Sequence, residues 1–407
     1  MALKYLYVPS GYKAGTAYGV LPNDSNADFD EFVRDTSATR TNKDGLLESM
    51  GNNVPRLDYS DGGCPSLLLE AERTNLAKYS EQITSWNKNP SDGTVTVRAN
   101  EQVSPDGEDT ADVVSVLTQY DGVYTQGITS VTNTKYSCSA YVKHVSGSSK
   151  IRVGITSGFN SGTGSKYVSF DLSNGSTILN GLDGEADFKS VYVGNGWYRL
   201  IIENCTGYGS SSHFVVFSYE DGLTEFSVWG GQIEVGSFTS SYIPNLSNSQ
   251  TTRNGDKGNF AGNFEFNSSE GVLEARFKAF PVTTESRRIT LGATDQNRVV
   301  LGYSYNGGIV KPFLLIVGSA NDDIYISMPS SFNIFDYNTY QFKFQSGNNE
   351  LKINGELVDT DTSFNTLNFT FSASLTNISF NYYTTSTSNR FYGGIKHIKV
   401  YDSITDF

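Results

Sequence analysis

The sequence predicts an all-β protein, two tandem antiparallel β-sandwiches after a small N-terminal docking region. Three observations lead there. The 407 residues exceed what one ordinary core organises, since single cores stop growing near ~250–300 residues. They include 40 Gly, 25 Tyr and 25 Phe against 3 Met, a composition suited to strands and turns. Apolar and polar residues alternate in runs of strand length, each closed by Gly, Asn, Asp or Ser, and no run keeps helical periodicity for long.

Residues 1–75 hold short apolar pieces ("YLYV", "EFVRD", "GLLES", "CPSLLLE") between turn residues. That is too little for a core of their own, so they read as an anchoring region that docks elsewhere. Residues 76–245 repeat the alternating pattern in "TVTVRA", "YSCSAYVKH", "KIRVGIT", "KYVSFDLS", "WYRLIIEN", "HFVVFSYE" and "FSVWGGQIEVG", the spacing of a first sandwich. Residues 246–258, inside "TSSYIPNLSNSQTTRNGD", have almost nothing to bury and read as a linker. Residues 259–407 form the second series. In "TYQFKFQ", Tyr340, Phe342 and Phe344 share one face while Gln341 and Lys343 take the other. "KFQSGNNELKING" reads as a hairpin, with Gly347, Asn348 and Asn349 supplying positive φ angles.

The net charge is −13, which excludes a surface that tracks nucleic-acid phosphates. Residues 257–407 hold 12 Lys or Arg and 14 Asp or Glu, leaving 18 and 29 in residues 1–256, so the first part carries −11 of that charge. The N-terminal "MALKYLYVPSGYK" lacks the apolar core of a secretion signal, and no stretch approaches a membrane span; synthesis in a cytoplasm without membrane insertion is expected. Cys64, Cys138 and Cys205 show no CxxC spacing, so neither a zinc cage nor a disulfide framework is indicated. Cys138, in step with Tyr136, Ala140 and Val142, reads as a small core residue.

Three sets of residues carry a resemblance. "FVRDTSATRTNKDGLLE" with "VPRLDYSDGGCPSLLLEAERTNL", then "YSEQITSWNK" with "VSPDGEDTADVV", then "NGWYRLIIE" with "VWGGQIEVGSFTSSYIPNLSNSQTTRNGD" resemble, over residues 30–256, a carbohydrate-binding-like module of tailed-phage fibres and other virion surface proteins. "LKINGELV" and "RFYGGIKHIKVYD" resemble laminin-G and concanavalin A-like lectin sandwiches. The resemblance implies jelly-roll or concanavalin A-like sandwiches on a virion surface, in a tail or head fibre or a capsid decoration, that attach to bacterial surface polysaccharide. It also implies contacts with other virion proteins through residues 1–75, and a homotrimer. A purely structural virion role and a glycan-depolymerising fibre enzyme stay open as alternatives.

Aromatic rings stack on the C–H faces of sugars while Asn, Asp and Arg supply directional hydrogen bonds. Trp86, beside the polar "NKNPSDG", is a stacking candidate; Trp197 and Trp229 sit inside alternating strands and read as core. In the second sandwich, Tyr303, Tyr305 and Asn306 ("SYNGG") and Tyr382, Tyr383, Asn389 and Arg390 ("NYYTTSTSNRFYGG") are expected on ligand-binding loops. No cofactor is required. Asp106, Glu108, Asp109 and Asp112 in "SPDGEDTAD" are the candidate oxygen ligands of a structural Ca2+. For catalysis there is no GxSxG, HExxH or phosphate loop, and Glu270 and Glu274 read as solvent-side charges, as does His397 beside Lys396 and Lys399. The protein reads as a binder without chemistry.

Overall fold

The computed structural model describes residues 3–13, 16–21, 29–90, 94–159, 164–260, 265–280, 286–294, 296–306, 309–318, 321–325, 332–358, 366–380, 390–405 and 407. Among them there is no α-helix, and every strand ladder is antiparallel, as alternation with one wet face per sheet demands. None of the described segments is a helix long and apolar enough to cross a membrane.

The chain folds into two compact units: residues 1–36, 50–71 and 255–407 make the first, and residues 37–49 and 72–254 the second. This corrects the boundaries read from the sequence. Residues 1–75 are not a separate anchor, because the strand Leu3–Lys13 pairs with the last strand, Gly393–Tyr401, and Ser66–Leu69 pairs with that strand further along. Nor is 246–258 a loose linker. Thr251–Arg253 is paired with Arg73–Asn75 within the second unit, and Asp256 is buried in the first. The short apolar pieces too small for their own core complete two others.

In the first unit the sheet through Leu3–Lys13, Gly393–Tyr401, Glu270–Ala279 and Asn338–Gln345 presents Tyr5, Tyr7, Leu273, Phe277, Tyr340, Phe342 and Ile398 to one core. The sheet through Ile309–Val317, Asn297–Asn306 and Arg287–Thr294 adds Leu314, Leu301 and Ile289 to the same core. The sequence-predicted hairpin exists, with Gly347 at φ 75°; Asn348 and Asn349 are not left-handed. Asn349 instead is buried, its Oδ1 accepting the N–H of Gln345 and its Nδ2 donating to Leu367 O. The next reversal is the two-residue turn Asn354–Gly355, with φ 53° and 87°, which suits the twist of its flanking strands.

Four of the charged side chains buried in this unit form one cluster. Asp256 accepts from Arg34 Nη1 at 3.1 Å, from Arg56 Nη2 and from the Glu70 N–H at 2.8 Å, while Arg56 Nη1 donates to Glu70 at 2.8 Å. Arg34 also donates to the carbonyls of Thr36, Gly51 and Val54. Burial works against the Arg56 charge, and the paired Asp256 and Glu70 more than restore it. The cluster joins residues from all three chain segments of the unit.

The second unit is a sandwich of two six-stranded sheets among the described residues. One contains Lys135–Gly147, Trp197–Thr206 and Thr224–Val235; the other contains Asn87–Asn89, Gly122–Tyr124, Phe214–Ser218, Lys150–Ile155, Lys166–Asp171 and Ser176–Asn180. Their inner faces meet through Cys138, Ala140, Val142, Leu200 and Ile202 on one side and Val123, Ile151, Val153, Val168 and Val216 on the other. Trp197 and Trp229 are buried as the sequence predicted, in a smaller cluster with Tyr141 and Tyr242.

Candidate functional site

The alternation of "KIRVGIT" sends Ile151, Val153 and Ile155 into the core, so Lys150, Arg152 and Gly154 take the outer face of the second unit's sheet. Strand register then fixes which side chains share that face. Ser169, Arg152, Phe217, Gly122 and Asn89 form one cross-strand row; Tyr167, Gly154, Val215, Tyr124 and Asn87 form the next. The two glycines shape the surface. A Cβ on Gly154 would fall 2.5 Å from Cδ1 of Tyr167 and one on Gly122 2.8 Å from Cδ1 of Phe217, so each ring lies across the sheet where a side chain is missing.

Arg152 sits among three of the rings. Its guanidinium carbon is 4.4 Å from the centroid of Tyr120, 5.2 Å from Tyr219 and 5.7 Å from Tyr167. These are cation–π distances. Tyr120 reaches this place with φ at 70°, a left-handed backbone that costs an aromatic residue about 1–2 kcal/mol. Two hydrogen bonds hold it there: its N–H donates to Ser218 O at 3.2 Å, and Asn89 Nδ2 donates to its carbonyl at 3.0 Å.

The acids nearby are engaged elsewhere. Glu220 accepts from Ser148 Oγ at 2.6 Å and Lys150 Nζ at 3.0 Å, contacts that hold its carboxyl below the usual range and raise the Lys150 ammonium. Asp171 accepts from Ser149 Oγ at 2.7 Å and the Ser173 N–H at 2.9 Å. Arg152 Nε donates to Ser169 Oγ across a long 3.4 Å. Among the described residues Arg152 has no carboxylate partner. At the other end of the face Tyr124 meets His213 edge-on at 5.1 Å, and His213 Nδ1 lies 2.8 Å from Thr125 O. Elsewhere in this unit a concavity of about 620 Å3 is lined by Asn180, Asp183, Asp187 and Lys189, but Asp183 is taken by Lys166 at 2.6 Å.

This face was not singled out in the sequence, and the residues that were lie elsewhere. Trp86 is buried at 3 % exposure, its Nε1 donating to Tyr79 O at 3.1 Å, so it offers no ring to a sugar. The polar residues beside it run along the strand Asn87–Asn89 and leave the indole on the inner side. Tyr303 is likewise a core residue whose hydroxyl donates to Tyr392 O. Tyr305 and Asn306 end the strand Asn297–Asn306, paired with Val310 and Ile309 rather than forming a loop, and their side chains lie outside the description. Tyr382, Tyr383 and Asn389 lie outside the described residues; Arg390 is half-buried, its backbone bridged to Arg288.

The proposed Ca2+ ligands do not converge. Asp112 is buried and turned inward, its two oxygens accepting the N–H groups of Thr84 and Asn100 at 3.0 Å each. Asp106 caps its own turn through Ser104 Oγ and the Glu108 N–H, while Glu108 and Asp109 are exposed. A tight turn satisfies its own donors first. Among the described residues no group of three His, Cys, Asp or Glu is gathered as a metal site.

Glu274 also departs from its sequence reading. It is 4 % exposed and accepts from Lys399 Nζ at 2.7 Å and Gln341 Nε2 at 2.8 Å, with His397 Nε2 2.8 Å away. Burial raises its pKa, but the contacts from His397, Lys399 and Gln341 outweigh it and bring the group from 4.5 to about 2. A depressed carboxylate stabilises the fold above its unfolded value and loses that contribution as pH falls to the folded one. Acid titration of the wild type should therefore shed about 2–3 kcal/mol between pH 4.5 and 2 from this group. In Glu274→Gln that portion should vanish, as measured by urea midpoints at each pH; an unchanged acid slope would contradict the assignment.

Fold and site together define an all-β protein of two units whose second unit is a β-sandwich with an aromatic, cation-bearing sheet face. No family model matches the chain, and no curated protein matches it. Among solved structures it is similar to the N-terminal CBM22-1-CBM22-2 tandem domain of Paenibacillus barcinonensis Xyn10C, at 11 % identity and TM-score 0.28, over 82 % of this chain and 98 % of that one. It is also similar to a Trypanosoma rangeli sialidase in complex with sialic acid (8 % identity, TM-score 0.26, 72 % of this chain and 58 % of that one). A third is the mouse laminin alpha1 chain, domains LG4-5 (10 % identity, TM-score 0.19, 70 % and 88 %). At these scores none supplies a residue correspondence.

Proposed function

We propose that the protein binds glycans without transforming them, and that the outer face carrying Tyr120, Tyr124, Arg152, Tyr167 and Tyr219 is the binding surface. The observation that carries this reading is the ring arrangement around Arg152. Sugars bind where flat aromatic faces meet fixed polar groups, and here the rings are placed by glycine gaps and a strained tyrosine rather than by core packing. On the strength of the sequence motifs, the setting proposed is a phage virion surface, with a homotrimeric fibre or decoration protein presenting the face to bacterial polysaccharide. Several weak copies acting together would then suffice for attachment.

Tyr219→Ala removes one ring without touching the core. It should weaken binding to a responding glycan about tenfold or more, read on a glycan array and then by calorimetry. Retained affinity in both Tyr219→Ala and Tyr120→Ala would sink this face as the site; silence of the wild type across bacterial polysaccharides would sink the function.

A further inference from the structure

We infer that this face selects carboxylated sugars, with Arg152 receiving the carboxylate; the inference rests on the glycan-binding reading above. A guanidinium carries five N–H donors in a planar fork. The three tyrosines occupy positions over or beside the Arg152 group, and Ser169 takes Nε at 3.4 Å, leaving the two terminal nitrogens without a protein acceptor among the described residues. Ring contacts satisfy the faces of the cation and leave its N–H edges to a ligand.

The surroundings favour an anion of planar shape. Glu220 is held by Lys150 and Ser148 and Asp171 by Ser149 and Ser173, so neither competes for the fork. A carboxylate matches the fork with two parallel hydrogen bonds, which a neutral hydroxyl or a point charge does not reproduce. Tyrosines crowding the half-buried cation shield part of it and restrict its orientation, which strengthens the pair and lowers its ordering cost. The wider field works the other way: the chain's net charge is −13. Nonspecific attraction of polyanions is therefore not the source of binding, and selectivity must come from this local contact.

The test is calorimetry on the full chain with polymers of galacturonate, glucuronate and mannuronate, each beside its carboxyl-reduced neutral form. The wild type should bind at least one acid polymer about 10- to 100-fold tighter than its reduced partner. Arg152→Gln should bring the two affinities together by lowering that for the acid form, and Arg152→Lys should recover only part of the preference. Arg152 is half-buried on an outer face, so matching melting curves will confirm that the variants fold; the wild-type comparison stands without them. Equal binding of acid and reduced forms would overturn the inference and leave the glycan reading intact. Sulfated dextran bound as tightly as the best polyuronate would also overturn it, by showing that charge alone suffices. Binding to none of the polymers would overturn it as well, and glycan-array binding of neutral sugars then decides separately whether the parent reading survives.

Discussion

Asp256→Ala should destabilise the first unit by about 3–5 kcal/mol, because it removes a buried carboxylate that two buried arginines share. Arg34 and Arg56 are both fully buried, and the Asp256 carboxylate is a counter-charge for each. Arg56 keeps Glu70, and Arg34 keeps its bonds to the carbonyls of Thr36, Gly51 and Val54. The Glu70 N–H loses its acceptor too. Losing a buried counter-charge costs more than losing a hydrogen bond, so Asp256→Asn, which keeps an acceptor and removes the charge, should fall between wild type and alanine. Hydrogen exchange should locate the damage in Phe29–Val33, Arg56–Asp58 and Ser66–Leu69. A urea midpoint within about 1 kcal/mol of wild type would refute the cluster's role.

Trp86→Ala should cost the second unit about 3–5 kcal/mol and leave the affinity of the folded protein for glycan unchanged. The indole fills space that only a glycine opposite permits: a Cβ on Gly231 would fall 2.3 Å from Cζ2 of Trp86. Its Nε1 also satisfies the Tyr79 carbonyl at 3.1 Å. Truncation leaves a cavity in a sandwich whose inner faces already interdigitate, and relaxation fills such cavities only in part. Trp86→Phe should recover part of the loss. Circular-dichroism melts of the variants measure this directly. The opposite pattern, an unchanged melt with lost binding, would return Trp86 to the sugar-stacking role its polar neighbours suggested.

Alternation alone settles which side of each strand faces a core. Ile151 and Val153 against Lys150 and Arg152, Tyr340 and Phe342 against Gln341, and Cys138, Trp197 and Trp229 as interior residues all come from this local property, which survives whatever the partners are. The signal for Arg152 and Tyr167 was present in the same pattern, as polar or amphipathic residues on the outer side of "KIRVGIT" and "KYVSFDLS". Nothing local ranked them above any other outer residue. Which outer residues meet is a matter of folding, because register joins strands far apart in the chain and carries Tyr120 and Tyr219 to Arg152 from flanking loops. Folding also sets the domain boundaries, since Arg34 finds Asp256 222 residues away and Leu3–Lys13 finds the final strand. It turns Trp86 inward despite polar neighbours and covers Glu274 on the outer face with Gln341, His397 and Lys399. Alternation is set residue by residue, whereas pairing is set by the complementarity of two distant surfaces, and only the folded chain brings those surfaces together.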